Sequence, residues 1–184
     1  QFNEYLDGLV RDINYSIEND LPDIIGIEAV NHFKASFENE GFTDQELKRW
    51  QEVKRRKNKT RGADALRKIL TGKTGALADS IEYDKTPGKV VISANPLNRG
   101  ANENYARIHN EGGVINHPGG TAYFINKDKL AVFVSNEKAS GKSLPRTKPH
   151  PITIPKRQFI GNSKVLNQKI VDKIKRYLKE KLKL

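Results

Sequence analysis

ILTGKTGALADSI, Ile69 to Ile81, is the stretch on which the fold turns. Its Gly72-Lys73-Thr74 is the closing tripeptide of a phosphate-cradling loop, which follows a buried strand and opens a helix. Such a loop also needs a glycine five residues ahead of Gly72, so that successive backbone N–H groups can curl around the phosphates. That position is Arg67, inside a helical pattern. The stretch therefore reads as a turn. Gly72 closes a short helix over 63–70, Thr74-Gly75 reverses the chain, and Leu77 and Ile81, one helical turn apart, predict a single coil over 76–80 before a strand.

Upstream, the texture is helical. Phe2, Leu6, Leu9, Ile13 and Ile17 recur at steps of three and four, the signature of an amphipathic helix. Asn19-Asp20-Leu21-Pro22 interrupts it, with Asp20 placed as a cap and Pro22 tolerated in a first turn. A second helix carries Ile25, Ala29, Phe33 and Phe37 on one face and stops near Gly41. Both apolar stripes are expected to be buried. Residues 42–62 are polar and basic around the single Trp50, and read as a surface loop or exposed helix.

Downstream, short β-prone runs take over. Ser80–Asp84 and Val90–Ala94 flank the turn signature Thr86-Pro87-Gly88, and Ala122–Ile125 and Leu130–Val134 flank Asn126-Lys127-Asp128-Lys129, so two hairpins are predicted. Tyr105–His109 reads as another apolar-alternating run, closed by Gly112-Gly113. Four of the eight prolines fall in residues 145–155, which excludes a helix there and predicts an extended arm, with Ile152-Thr153-Ile154 at most an edge strand. Residues 164–184 read as a last helix with Leu166, Ile170, Ile174, Tyr177 or Leu178, and Leu182 on one side and lysines on the rest. Helices, then strands, then a helix predict an α+β fold: a mainly antiparallel sheet packed with two N-terminal helices and one C-terminal helix. A chain of 184 residues suits a single domain over 1–184, with 114–158 as a hairpin plus extended proline-rich arm inserted before the C-terminal helix.

The formal net charge of +11 is unevenly placed. Residues 48–61 hold 8 basic and 1 acidic residue, and 164–184 hold 8 basic and 2 acidic, leaving about −2 for everything else. With no cysteine, thiol catalysis, thiolate zinc sites and disulfides are excluded. No apolar run reaches the roughly 18–20 residues of a spanning helix, so no membrane partner is expected.

Catalytic constellations fade on inspection. His109-Asn110 and His117 are the residue types of a His-Asn-His nuclease, but two of them are adjacent. The four histidines lack paired zinc-ligand spacing, His32 reads as a packing residue, and Glu38 and Glu40 at a helix end read as solvated. No catalytic residue, cofactor or metal is expected.

Three motifs in order carry a resemblance. The run Thr74, Gly75, Leu77, Ser80 and Ile81, then Tyr105, Ala106, Ile108, His109, Gly112 and Gly113, then Ile154, Pro155, Arg157, Phe159 and Gly161 together resemble the tailed-phage virion morphogenesis (tail completion) family over roughly residues 20–184. Lys156 and Gln158 depart from its pattern, which has alanine and proline there. The resemblance implies a non-enzymatic structural protein of a phage or prophage. Its expected role is tail completion or head–tail joining as an oligomeric ring. Expected partners are its own copies and other tail or neck proteins, in the virion or, during assembly, the bacterial cytoplasm.

The alternative is a basic nucleic-acid-binding protein. Lys54, Arg55, Arg56, Lys57, Lys59 and Arg61 form a candidate basic surface beside Trp50, and the C-terminal helix adds more charge for non-specific contact with DNA.

Overall fold

The computed structural model describes residues 1–57, 66–96, 105–127 and 129–182. Lys59, Arg61 and residues 63–65 of the predicted short helix lie outside them. That helix does not reach position 70, where the chain is in a turn with Leu70 at a φ of 62°. The chain divides into one unit of Gln1–Glu111 with Lys156–Leu184, and a second of Gly112–Pro155.

In the first unit, α1 (Phe2–Tyr15) and α2 (Leu21–Asn39) are joined without a break through a π-helical turn, Ser16–Asp20. The predicted interruption at Asn19–Pro22 is thus a local widening. Leu21 N–H reaches back five residues to the Ser16 carbonyl, which lets Pro22, without an N–H, enter the first turn of α2. Asp20 makes no side-chain cap. Its carboxylate instead accepts from the Tyr177 hydroxyl, and that bond, with Lys181 3.5 Å away, holds it below the usual carboxylate range.

α2 ends at Glu40, left-handed at a φ of 50°, and the chain enters a small hairpin, β1 (Gly41–Thr43) with β2 (Leu47–Arg49). A surface loop or exposed helix is expected here, because three-residue strands carry almost no periodicity. After Trp50 comes α3 (Lys54–Lys57). The turn at 72–75 then opens α4 (Ala76–Asp79), followed by β3 (Ile81–Thr86) and β4 (Lys89–Ala94), the predicted hairpin, with α2 across it.

Tyr105–Glu111 is a helix, α5, where a strand-like run was expected. Five residues cannot separate a period of 2 from one of 3.6, and only Ala106 is fully buried. Gly112, at a φ of 78°, provides the left-handed residue that stops the helix. The unit closes with α7 (Lys164–Leu182), whose first turn is capped by Ser163 Oγ on the Leu166 N–H and Asp44 on the Lys164 N–H. Glu28–Lys173 and Asp20–Lys181 pairs show α7 running antiparallel to α2.

In the second unit, β5 (Gly113–His117) pairs with β8 (His150–Ile154), and β6 (Ala122–Ile125) with β7 (Ala131–Val134); α6 (Asn136–Ala139) follows β7. The fold is therefore α+β with antiparallel pairing, but the strands among the described residues form four two-stranded sheets. Residues 150–154 are a paired strand, so that part of the proline-rich segment folds back on its own unit.

Two outcomes follow from this packing. A Cβ at Gly26, on the face of α2 toward β3, would overlap the Tyr83 ring. Gly26→Ala should therefore destabilise the protein by about 1–3 kcal/mol despite its better helix propensity, read by denaturant unfolding. Because Gly113 and Ile154 are register partners, replacing residues 114–153 by a short Gly-Ser linker should leave a first unit that unfolds in one cooperative transition by circular dichroism. Loss of that transition would mean the two units fold only together.

Candidate functional site

The three motifs converge on one core. Leu77 and Ile81 from the first, Ala106 from the second and Phe159 from the third are buried in a single cluster with Phe33, Phe37, Phe42 and Trp50. The Phe37 ring lies 5.2 Å from Phe159 and stands edge-on to Trp50 at 5.5 Å.

The polar motif residues position this cluster. Gly75, left-handed at a φ of 73°, donates its N–H to the Thr71 carbonyl at 2.8 Å, and Ser80 Oγ donates to Leu77 O at 2.9 Å, so the first motif fixes a tight coil under Ile81. Lys73 and Thr74 are exposed, and Thr74 Oγ1 is only a long acceptor, 3.4 Å, for Ala76 N–H. In the third motif Arg157 N–H donates to His109 O at 2.8 Å, while its guanidinium donates to Gln51 O at 3.4 and 3.1 Å. Ile108, Pro155 and Gly161 are half-buried; Gly113 and Ile154 are partners in the β5–β8 ladder.

In the sequence Asn110 stands out only as part of the rejected nuclease pattern, and its packing role has no signal there. Its Oδ1 accepts from both Phe159 N–H (2.9 Å) and Ile160 N–H (3.0 Å), satisfying the backbone where the third motif enters the core. With Asn110 so engaged and His117 stacked on His150 across β5 and β8 at 5.1 Å, both have structural work in place of the nuclease pattern.

A cavity of about 330 Å³ opens beside the cluster, lined by Val53, Leu70, Thr71, Leu77 and Tyr105, with Arg55, His109 and Arg157 as its ionisable residues. Arg157 is 9 % exposed and has no ion pair among the described residues; burial, then the charge of Arg55, acts against its protonated state. His109 Nδ1 is buried without a hydrogen-bond partner, and burial first, Arg157 second, pushes its imidazole down. Thr71 Oγ1 donates to Lys68 O, so it is not paired with a base. No group of three His, Asp or Glu residues among those described could hold a metal ion.

The basic run is partly tied into the fold. Arg56 makes a bidentate pair with Glu40 at 2.9 and 2.6 Å, and Glu40 Oε1 also accepts Ile69 N–H at 2.6 Å. The Arg56 pair, reinforced by the Ile69 bond, holds Glu40 below the usual carboxylate range, so Glu40 is a structural hub where a solvated residue was expected. Arg55 donates to the carbonyls of Arg67 and Lys68. Lys54 is exposed. Trp50 is buried, with Nε1 donating to Gln158 O at 2.8 Å, and offers no face for a base to stack on.

The fold and the site define a class: an α+β domain whose recurrent motif residues are spent on packing. The chain belongs to the phage virion morphogenesis family, whose model matches residues 4–179. That family is one of structural and morphogenesis proteins, not of enzymes. No curated protein and no solved structure matches the chain. No helix among the described residues is long and apolar enough to cross a membrane.

The buried histidines predict a pH dependence. His109 and His32 both have pKa values lowered by burial. The unfolded chain therefore takes up protons that the folded one refuses, so stability should be full above about pH 6.5 and fall as pH drops below it. His109→Gln should flatten that fall, measured as unfolding free energy between pH 7.5 and 5, leaving the His32 contribution. An unchanged slope would show that His109 is not held neutral.

Proposed function

We propose that this protein is a non-enzymatic component of tail completion or head–tail joining. It acts in the virion, after assembly in the bacterial cytoplasm, by fitting against its own copies in a ring and against other tail or neck proteins. One observation carries the reading: the three motifs on which the resemblance rests close on a single core within the residues that the family model matches, which supports a packed body over a reactive centre. Ring closure calls for heterologous contacts, different on the two sides of each subunit. The segment 137–158, expected as an extended arm, is paired within its own unit where residues 145–147 meet 120–123 and where β8 meets β5; the outer face it presents is a candidate for one such side.

The nucleic-acid alternative is weakened by Trp50, which is buried, and by Arg55 and Arg56, which are committed to carbonyls and to Glu40. Among the described residues, exposed Lys54 and the lysine-rich face of α7 remain for DNA, an accessory to a subunit that stands near the path of the genome.

Electron microscopy of the purified protein, alone and with tail tubes lacking it, tests the reading. The expected result is a ring capping one tube end. Failure to bind either tubes or heads sinks it. In parallel, binding to mixed-sequence DNA should be weak and lose little with salt. A log–log slope of several units, about 0.9 per phosphate neutralised, would favour the alternative.

A further inference from the structure

The largest unused feature of the molecule is α1. None of its residues is buried, and Phe2, Tyr5 and Val10 are 73 %, 65 % and 55 % exposed. The sequence predicts that its stripe is buried, and the structure shows why it is not. α7 runs along the rod from Tyr15–Asp20, which Tyr177 and Lys181 reach, to Asp44, whose carbonyl accepts the Val165 N–H. Past the last of these contacts among the described residues, α1 continues from Ile13 to Phe2, about 18 Å of helix. On a helical wheel Phe2, Tyr5, Leu6, Leu9, Val10 and Ile13 share one face, with Glu4, Asp7, Arg11 and Asp12 around the remainder. An exposed apolar face of this extent marks an interaction site.

The charge says what covers it. Residues 2–20 hold 5 acidic residues and 1 basic in a chain of net +11. Two such segments laid on each other would repel. α7 offers the complement. Its inner side carries Leu166, Ile170 and Tyr177, but Val171 is 43 % exposed, and Ile174, Leu178 and Leu182 continue from it as a half-exposed strip. Lys175 and Lys179 lie beside that strip, and neither has an ion pair among the described residues; nor do Asp7 and Asp12 on α1.

We propose that α1 of one copy docks along the Val171–Leu182 strip of α7 of the next copy, with its aspartates set against Lys175 and Lys179. The contact is heterologous, so it repeats from subunit to subunit and leads to a ring or an open chain. It deepens the assembly reading above and rests on it.

The chain has no cysteine, so single cysteines report contacts cleanly. Val10→Cys and Val171→Cys proteins, mixed and treated with a short bismaleimide, should give a mixed dimer, and neither alone should cross-link efficiently. In sedimentation velocity the full chain should self-associate. Asp7→Lys/Asp12→Lys, or Lys175→Glu/Lys179→Glu, should each weaken association by about tenfold or more, and combining the two reversals in one chain should restore it. All these positions are exposed, so circular dichroism should be unchanged. Efficient V10C self-cross-linking, or tighter association of the α1 reversal alone, would mean that α1 pairs with α1 and would overturn the proposal. So would a chain that stays monomeric up to millimolar concentration. If that monomer still caps tail tubes, the assembly role stands and only this contact fails.

Discussion

Phe37 packs on both Trp50, 13 residues further on, and Phe159, near the other end of the chain, and this packing is the constraint on which the first unit depends. Each aromatic side chain brings a large apolar area out of water, and an edge-on or tilted pair adds to that. Burying them also drags backbone into the interior, where an unmet N–H or C=O is costly. The surrounding polar residues answer that cost one by one. Trp50 Nε1 takes the Gln158 carbonyl, Asn110 takes the N–H groups of Phe159 and Ile160, and Arg157 takes the Gln51 carbonyl. The third motif is thus threaded between the helix carrying Asn110 and the Trp50–Gln51 segment, and two residues past its Gly161 stands Ser163, whose hydroxyl caps the start of α7. The direction of the last helix is a consequence of how Phe159 is held.

Electrostatics follows the same economy. The acidic residues of α2 and its flanks are matched to single cations: Asp23 with Lys85, Glu28 with Lys173, Glu38 with Lys68, Glu40 with Arg56. Most of these pairs are exposed enough that each contributes only about 0–1 kcal/mol. Their effect is on register: they set α7 and the β3–β4 hairpin against one rod. Arg157 is different, a buried guanidinium answered by one carbonyl, with Arg55 and His109 lining the same cavity. Such a group specifies geometry more than it stabilises.

What was legible in the sequence was local. The Thr-Pro-Gly turn gave the β3–β4 hairpin almost to the residue, the lysine-rich 3.6-residue period gave α7, and the absent glycine at position 67 identified Gly72–Gly75 as a turn. The three motifs were visible, and so was their family. Their convergence was not, because Leu77, Ala106 and Phe159 are joined only by tertiary packing. Trp50 was misjudged because its neighbours are polar, whereas its partners, Phe37 and Gln158, are far along the chain. The β5–β8 ladder, closing over more than 30 intervening residues, has no local turn to announce it. Asn110 is a backbone acceptor, and a lone asparagine carries no periodicity.

The exposed stripe of α1 is specified and not a mere lack of core. Had the chain broken at Pro22, as Asn19-Asp20-Leu21-Pro22 invites, α1 could have folded back and buried Leu6, Leu9 and Ile13 on its own subunit. The π turn prevents this by giving Pro22 room inside a continuous helix, and the region is pinned from outside. Ser16 Oγ donates to Asp12 O and lies 3.0 Å from the Tyr177 hydroxyl, which in turn bonds Asp20, and Lys181 stands over the Tyr15 and Tyr177 rings at 5.9 and 5.8 Å. The end of α7 thus clamps the one place where the rod could bend. A clamp there contributes little to the core of the first unit, which lies at the other end of α2 around Phe37. Its effect is to keep the helix continuous and straight there, leaving Phe2, Tyr5 and Val10 exposed as the face on which the proposed contact is built.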